Sequence, residues 1–158
     1  MGEQSFRVQR HSSAPPSAIY ALLADVPGWP RWAPAGAKAA YAREGSPDIG
    51  GVGAIRRMGG YGLSVDEEIL EARPPHYQRY TILRGAPVKN YCGEVHLEPA
   101  GGGTALLWTV RFTSTVPGLG PVLRIALGFL IGLVVKAMIK AAENDLRARH
   151  TQPEIPSE

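Results

Sequence analysis

The sequence predicts an α+β fold: a curved antiparallel sheet of about six to seven strands wrapped around a long C-terminal helix, with two short helices after the first strand. Three observations lead there. Apolar and polar residues alternate with period two through most of residues 37–115, the pattern of strands that bury one face. Short stretches rich in Gly and Pro separate those segments and favour antiparallel neighbours. The last third of the chain holds "LRIALGFLIGLVVKAMIK", residues 123–140, whose length and composition suit one helix. A sheet accompanied by one bulk helix must curl to bury its apolar face against it.

The first strand is read in "SFRVQRHS" (5–12), where Phe6 and Val8 alternate with polar residues. In the following "SAPPSAIYALLADV", Ser13 stands where a cap belongs and Pro15 and Pro16 suit a helix start. Ile19, Leu22, Leu23 and Val26 have helical spacing, and Pro27 ends the element. "PGWPRWAP" has room for at most a helical turn. Six further strands are read at 37–43, 52–58, 61–72, 76–84, 88–98 and 104–115. The turns between them are "EGSPDIGG", "GGYG", "RPP", "GAP" and "PAGGG". "PGLGP" (117–121) breaks the last strand, and a helix of about 45 Å at 1.5 Å per residue runs to about His150. Residues 1–150 make one domain in this reading, and 151–158, "TQPEIPSE", a flexible tail.

With 158 residues the chain can bury a real core. A net charge of +3, with Lys and Arg scattered and no aromatic-interleaved basic block, argues against nucleic acid as a partner. The single Cys92 excludes an internal disulfide and a cysteine-rich zinc site. The N-terminal "MGEQSFRVQR" has no apolar secretory core, and Phe6 stands where a myristoylation motif wants Ser or Thr. A cytoplasmic location is the expectation. A membrane span needs roughly 20 apolar residues. Only eleven separate Arg124 from Lys136, and Lys140 follows one turn later, so the stretch reads as a helix of a soluble domain.

The order of elements, together with "APPSAIYALLADVPGWPRW", "EEILEARPPHYQRY" and "EVHLEPAGGGTALLWTVRF", resembles the START-like, Bet v 1-like helix-grip superfamily. Within it, the chain resembles in particular the polyketide cyclase/dehydrase and lipid transport branch. The likeness runs from Phe6 to about Arg149. It implies a cavity between the curved sheet and the long helix that takes an apolar or aromatic small molecule. It implies no cofactor and no single activity, since the superfamily includes carriers, sensors and cyclases.

Alternation nominates the lining. Leu106, Trp108, Val110 and Phe112 share one strand face. Tyr91, Val95 and Leu97 share another, with Gly93 leaving room or marking a bulge. Leu63, Val65, Glu67 and Ile69 share a third. Of the two faces of 76–84, the one carrying Tyr80 and Ile82 is favoured over that carrying Tyr77 and Thr81. Trp29, Trp32 and Tyr41 fall near the expected mouth, and Leu127, Leu130, Val134 and Met138 on the expected inner face of the helix. Each aromatic has an equally good reading as ordinary core. An inward Glu67 needs a partner, which Arg56 or Arg57 can supply; a slip of one residue would instead turn it to solvent.

No nucleophile elbow, phosphate loop or metal-spaced histidines are present. Cys92 and His96 share a strand face but lie about 13 Å apart at strand rise. Tyr41, Arg56, Glu67 and His96 are the candidates for proton transfer should the cavity host a reaction. Three functions follow: binding or transport of a hydrophobic molecule, polyketide cyclisation or dehydration, and interaction through the outer helix face. For the last, Arg124, Gly128, Gly132, Lys136 and Lys140 form an expected wet stripe. Ile125, Phe129, Val135 and Ile139 lie within or beside it, which predicts weak homodimer or membrane-surface contact there.

Overall fold

Every period-two segment becomes a strand in the computed structural model, which describes residues 2–34 and 36–152. Strand β1 is Glu3–Ser12, followed by helix α1, Pro16–Ala24, and a 3-10 turn, Val26–Arg31. Then come β2 (Lys38–Arg43), β3 (Ile55–Gly60), β4 (Leu63–Arg73), β5 (Tyr77–Arg84), β6 (Val88–Ala100), β7 (Gly103–Ser114) and helix α2 (Gly120–Thr151). Helix α2 thus runs into the expected tail; residues 153–158 of that tail lie outside the described residues. The strands form one antiparallel sheet in the order β1-β7-β6-β5-β4-β3-β2. Only β1 is out of sequence order, pairing with β7 from Glu3↔Thr113 to Ser12↔Thr104. Bulges interrupt the register at Tyr41/Arg43, Asp66/Glu67, Ile69/Glu71 and Lys89/Cys92. Such insertions bend strands and raise local twist, which curls a sheet.

Helix α1 has Pro15 rather than Ser13 at its N-cap. Ser12 Oγ instead accepts the Ala14 N–H, so the turn is held one residue earlier. Ile19, Tyr20 and Leu23 bury the inner side of α1. Helix α2 lies along β1. A Cβ on Gly120 would sit 3.1 Å from the Gln4 side chain, and one on Gly128 3.6 Å from Phe6. At the far end Glu143 accepts from Ser12 Oγ (3.0 Å) and from the Ser13 N–H (3.1 Å).

The buried face of α2 is Ile131, Val135, Met138 and Ala142, at helical spacing. This rotates the helix by roughly a quarter turn from the sequence expectation, at about 100° per residue. Leu130, placed inside by the sequence, is 50% exposed, and Val135, placed on the outer patch, is fully buried. Gly128 faces Phe6 rather than solvent. The cause is that residues 125–135 are apolar around the whole circumference, so no polar residue there marks the outside.

Candidate functional site

Side chains on the concave face of the sheet build the site in cross-strand rows. Tyr41, Arg56, Glu67 and Ile82 follow one another across β2 to β5. Ile69, Tyr80, Gly93, Val110 and Phe6 make the next row, across β4 to β1. Gly93 is there for space: a Cβ would fall 2.3 to 2.6 Å from the Tyr80 ring and hydroxyl. Without a side chain on β6, the Tyr80 ring lies across the strand. Tyr80 is fully buried, 5.8 Å from the Tyr91 ring and edge-on to Trp108 at 6.2 Å. Tyr91 in turn stacks on Phe112 at 6.4 Å.

Arg56 is the largest fully buried side chain. Its Nη2 donates to Glu67 Oε2 at 2.6 Å and its Nη1 to Gln78 Oε1 at 2.9 Å. The guanidinium lies 4.7 Å from the Tyr80 ring centre and 5.3 Å from that of Trp29, two cation–π contacts in a water-poor setting. Its Nε has no hydrogen-bond partner, and neither has the buried Nε1 of Trp32. Buried N–H groups are rarely left so, because each forfeits its hydration. Two donors here want an acceptor that the described residues do not supply.

Burial pushes the Glu67 carboxyl above its ordinary range, against the pull of Arg56. Burial likewise raises the Tyr80 and Tyr91 hydroxyls, so both stay protonated at neutral pH. Trp108 Nε1–H donates to the Tyr80 oxygen at 3.0 Å, and the two tyrosine oxygens are 3.4 Å apart. The cluster is therefore a supply of donors: one guanidinium, partly neutralised by one carboxylate, and two neutral hydroxyls.

Toward the end of the sheet where α2 begins, the same face turns apolar and partly open. Ala39, Met58, Val65, Ile82 and Val88 are only half-buried there, as are Leu123 and Leu127 of α2. Val134 and Met138 continue the helix wall, Met138 fully buried. Two solvent-open grooves are present: one of about 530 Å³ on the convex face by Gln9, His96 and Leu107, the other of about 440 Å³ along the β2–β4 edge, where it shares Ala39 and Met58 with this lining. Neither includes Arg56, Tyr80 or Tyr91.

The structure brings together Arg56, Glu67, Tyr80, Tyr91 and Trp108 from the sequence reading, with Trp32 and Val65 at the margins. It separates others. His96 points to the convex face, its ring 4.9 Å from Tyr77, because alternation puts it opposite Val95 and Leu97. Tyr41 faces inward, but its hydroxyl donates to the Ala24 carbonyl and so ties β2 to α1. That hydrogen bond gives the Tyr41 hydroxyl a structural partner inside the fold. Leu130 is outside, as described. Gln78 and Trp29 were not read as partners of Arg56. Gln78 shares parity with Tyr80, two residues on, and that spacing was the available signal. Trp29 reaches Arg56 from the 3-10 turn, a long-range contact with no sequence signature.

A family model described as polyketide cyclase / dehydrase and lipid transport matches residues 3–151. The chain belongs to that family. Among solved structures it is similar to the Zhui aromatase/cyclase from Streptomyces sp. R1128, at 20% identity and TM-score 0.79, covering 94% of this chain and 98% of that one. A START superfamily protein from Mycobacterium smegmatis follows at 13% identity and TM-score 0.75, covering 90% and 99%. Ara h 8.0201 is similar at 17% identity and TM-score 0.73, covering 89% and 98%. No curated protein matches the chain in sequence. At these identities the likeness to solved structures carries the helix-grip fold, and membership of the polyketide cyclase/dehydrase and lipid transport family rests on the family match.

Proposed function

We propose that this member of the family binds an apolar, aromatic or polyketide-like molecule between the sheet and the first half of α2, with an oxygen of the ligand on Arg56. The partnerless Nε of Arg56, fully buried at the inner end of a half-exposed apolar lining, carries the reading. A few convergent donors in an apolar site are what fix the orientation of a mostly hydrophobic ligand. The aromatic walls supply stacking surface, and the retained charge of Arg56 selects a carbonyl, enolate or phenolate oxygen.

Native mass spectrometry of the purified protein tests this directly through co-purified mass. Titration with the fluorescent dye 1-anilinonaphthalene-8-sulfonate, read by tryptophan quenching, gives a second readout. One bound molecule is expected, with affinity reduced at least about tenfold (roughly 1.4 kcal/mol) in Arg56→Met, the scale of one charge-assisted hydrogen bond. No co-purified mass and no saturable quenching would end the proposal.

A second reading is cyclisation or dehydration of a polyketide, favoured by one observation. Arg56 and the protonated Tyr80 and Tyr91 hydroxyls share the same interior. A substrate α-carbon gives its proton to the Glu67 carboxylate and bonds, as the enolate, to a carbonyl carbon; the carbonyl π pair moves to the oxygen, which the Arg56 guanidinium polarises, and a neutral phenol returns a proton to that oxyanion. Incubating the protein with a poly-β-ketone thioester and following the product distribution decides it. Turnover that falls in both Tyr80→Phe and Glu67→Gln supports catalysis, and a distribution identical to the protein-free reaction excludes it.

A further inference from the structure

A second feature stands apart from the interior. Three connections lie at one end of the sheet: β3–β4 at 61–62, β5–β6 at 85–87 and β7–α2 at 115–119. Helix α2 starts there, since Gly120 adjoins Gln4 near the start of β1 while Glu143 adjoins Ser12 at its finish. That end and the adjoining outer face of α2 expose large apolar side chains. Leu63 is 75% exposed, Val122 59%, Ile125 68% and Phe129 70%, with Val116 and Leu133 also open. Farther along α2 the outer face changes character, to Lys136, Lys140 and Arg147.

Charge divides along the same axis. Lys38 opens β2, Lys89 lies near the start of β6, Arg111 pairs with Ser5 near the start of β1, and Arg124 lies in the first turns of α2. The carboxylates there are Glu3 and Asp66, and Asp66 is bridged by Arg57 and Arg84. Glu44, Asp48, Glu98 and Glu143 lie toward the other end. No acidic residue occurs between Gly120 and Ala142. Exposed apolar side chains at the end of the molecule that also carries these cations, on a helix that is apolar through residues 125–135, have the chemistry of an interfacial anchor. A second copy of this chain would bring the same cations face to face, whereas anionic headgroups would neutralise them.

We infer that this end of the molecule docks on an anionic lipid surface, Phe129 and Ile125 entering the acyl boundary while Lys38, Lys89 and Arg124 meet headgroups. This does not depend on what occupies the interior. The test is flotation of the full chain with vesicles of phosphatidylcholine alone or with about one third phosphatidylglycerol. The expected result is at least about tenfold more protein on the anionic vesicles, falling as salt screens the cations. Phe129→Glu, Val122→Ser and Lys89→Glu should each cut that binding while unfolding temperature and dye binding inside stay unchanged. Equal recovery with and without anionic lipid overturns the inference. So does sedimentation showing a stable dimer that Phe129→Glu dissociates, because the face would then be an interface between copies.

Discussion

Arg56 donates to Glu67 across adjacent strands at 2.6 Å, and neither side chain is more than a tenth exposed. The two are opposite in register, Arg56 on β3 and Glu67 on β4, so strand pairing itself presents one to the other. Removing one member strands the other's charge, which costs about 3–5 kcal/mol for a buried pair. Arg56→Met is therefore expected to lower stability at pH 7 by about 3 kcal/mol. Burial already raises the Glu67 pKa, so Glu67 takes up a proton readily once Arg56 is gone, and the loss should shrink as pH falls through the raised folded value toward the unfolded value of about 4.3. Arg56→Met with Glu67→Leu should cost less than the sum of the single changes. Urea unfolding of the three variants at two pH values checks this; additive losses would show that the two groups are not coupled.

Asp66 behaves in the opposite sense on the convex face. Arg57 Nε is 2.8 Å from it and Arg84 Nε 2.7 Å, and the Arg57 hydrogen bond leads in holding its carboxyl below the usual range. A depressed pKa adds stability above the unfolded value of about 3.9, and that stability is lost as pH falls through the folded value. Both arginines are at least half exposed, so screening limits the effect to about 1 kcal/mol. Asp66→Asn should thus cost about 1 kcal/mol at pH 7 and close to nothing near pH 2. Thermal unfolding across that range gives the answer, and a cost that does not vary with pH would contradict it.

Gly93 is expected to tolerate no side chain while Tyr80 keeps its place. Gly93→Ala puts a methyl group 2.3 Å from the Tyr80 ring, and overpacking of this kind costs about 1–3 kcal/mol. Tyr80→Leu in the same chain should recover part of the loss, since the clash is with the ring. Denaturant midpoints of the single and double variants test the pair. A double variant weaker than the sum of its parts would place the constraint in the β6 backbone instead.

Leu127 belongs to the helix wall of the proposed site. It is half-buried on α2, facing the core. If this wall lines the site, Leu127→Trp should weaken dye binding by about tenfold or more, with stability changed by less than about 1 kcal/mol because the side chain is only half-buried. Unchanged binding with intact folding would move the entrance elsewhere.

Much of this fold was legible without coordinates. Period-two alternation placed all seven strands, because each strand buries one face and exposes the other. The parity of Tyr80, Tyr91, Trp108 and Phe112 followed from the same rule, whereas a one-residue slip left Glu67 open to either face, and the structure buries Glu67 and turns the cavity candidate His96 outward. The rotation of α2 was not legible. With apolar residues on every side from 125 to 135, each orientation buries similar area, and only packing against Phe6, Gln4 and the sheet selects one.

Sequence alone therefore determined the order of elements, the antiparallel sheet and the faces its strands present, since local periodicity and turn chemistry encode them. Tertiary structure decided which polar groups meet: Arg56 chose Glu67, Gln78, Tyr80 and Trp29 rather than solvent, and the Tyr41 hydroxyl donates a hydrogen bond to the Ala24 carbonyl. Those choices depend on distances between segments far apart in the chain, and a side chain carries no local record of the partner that strand curvature will bring to it.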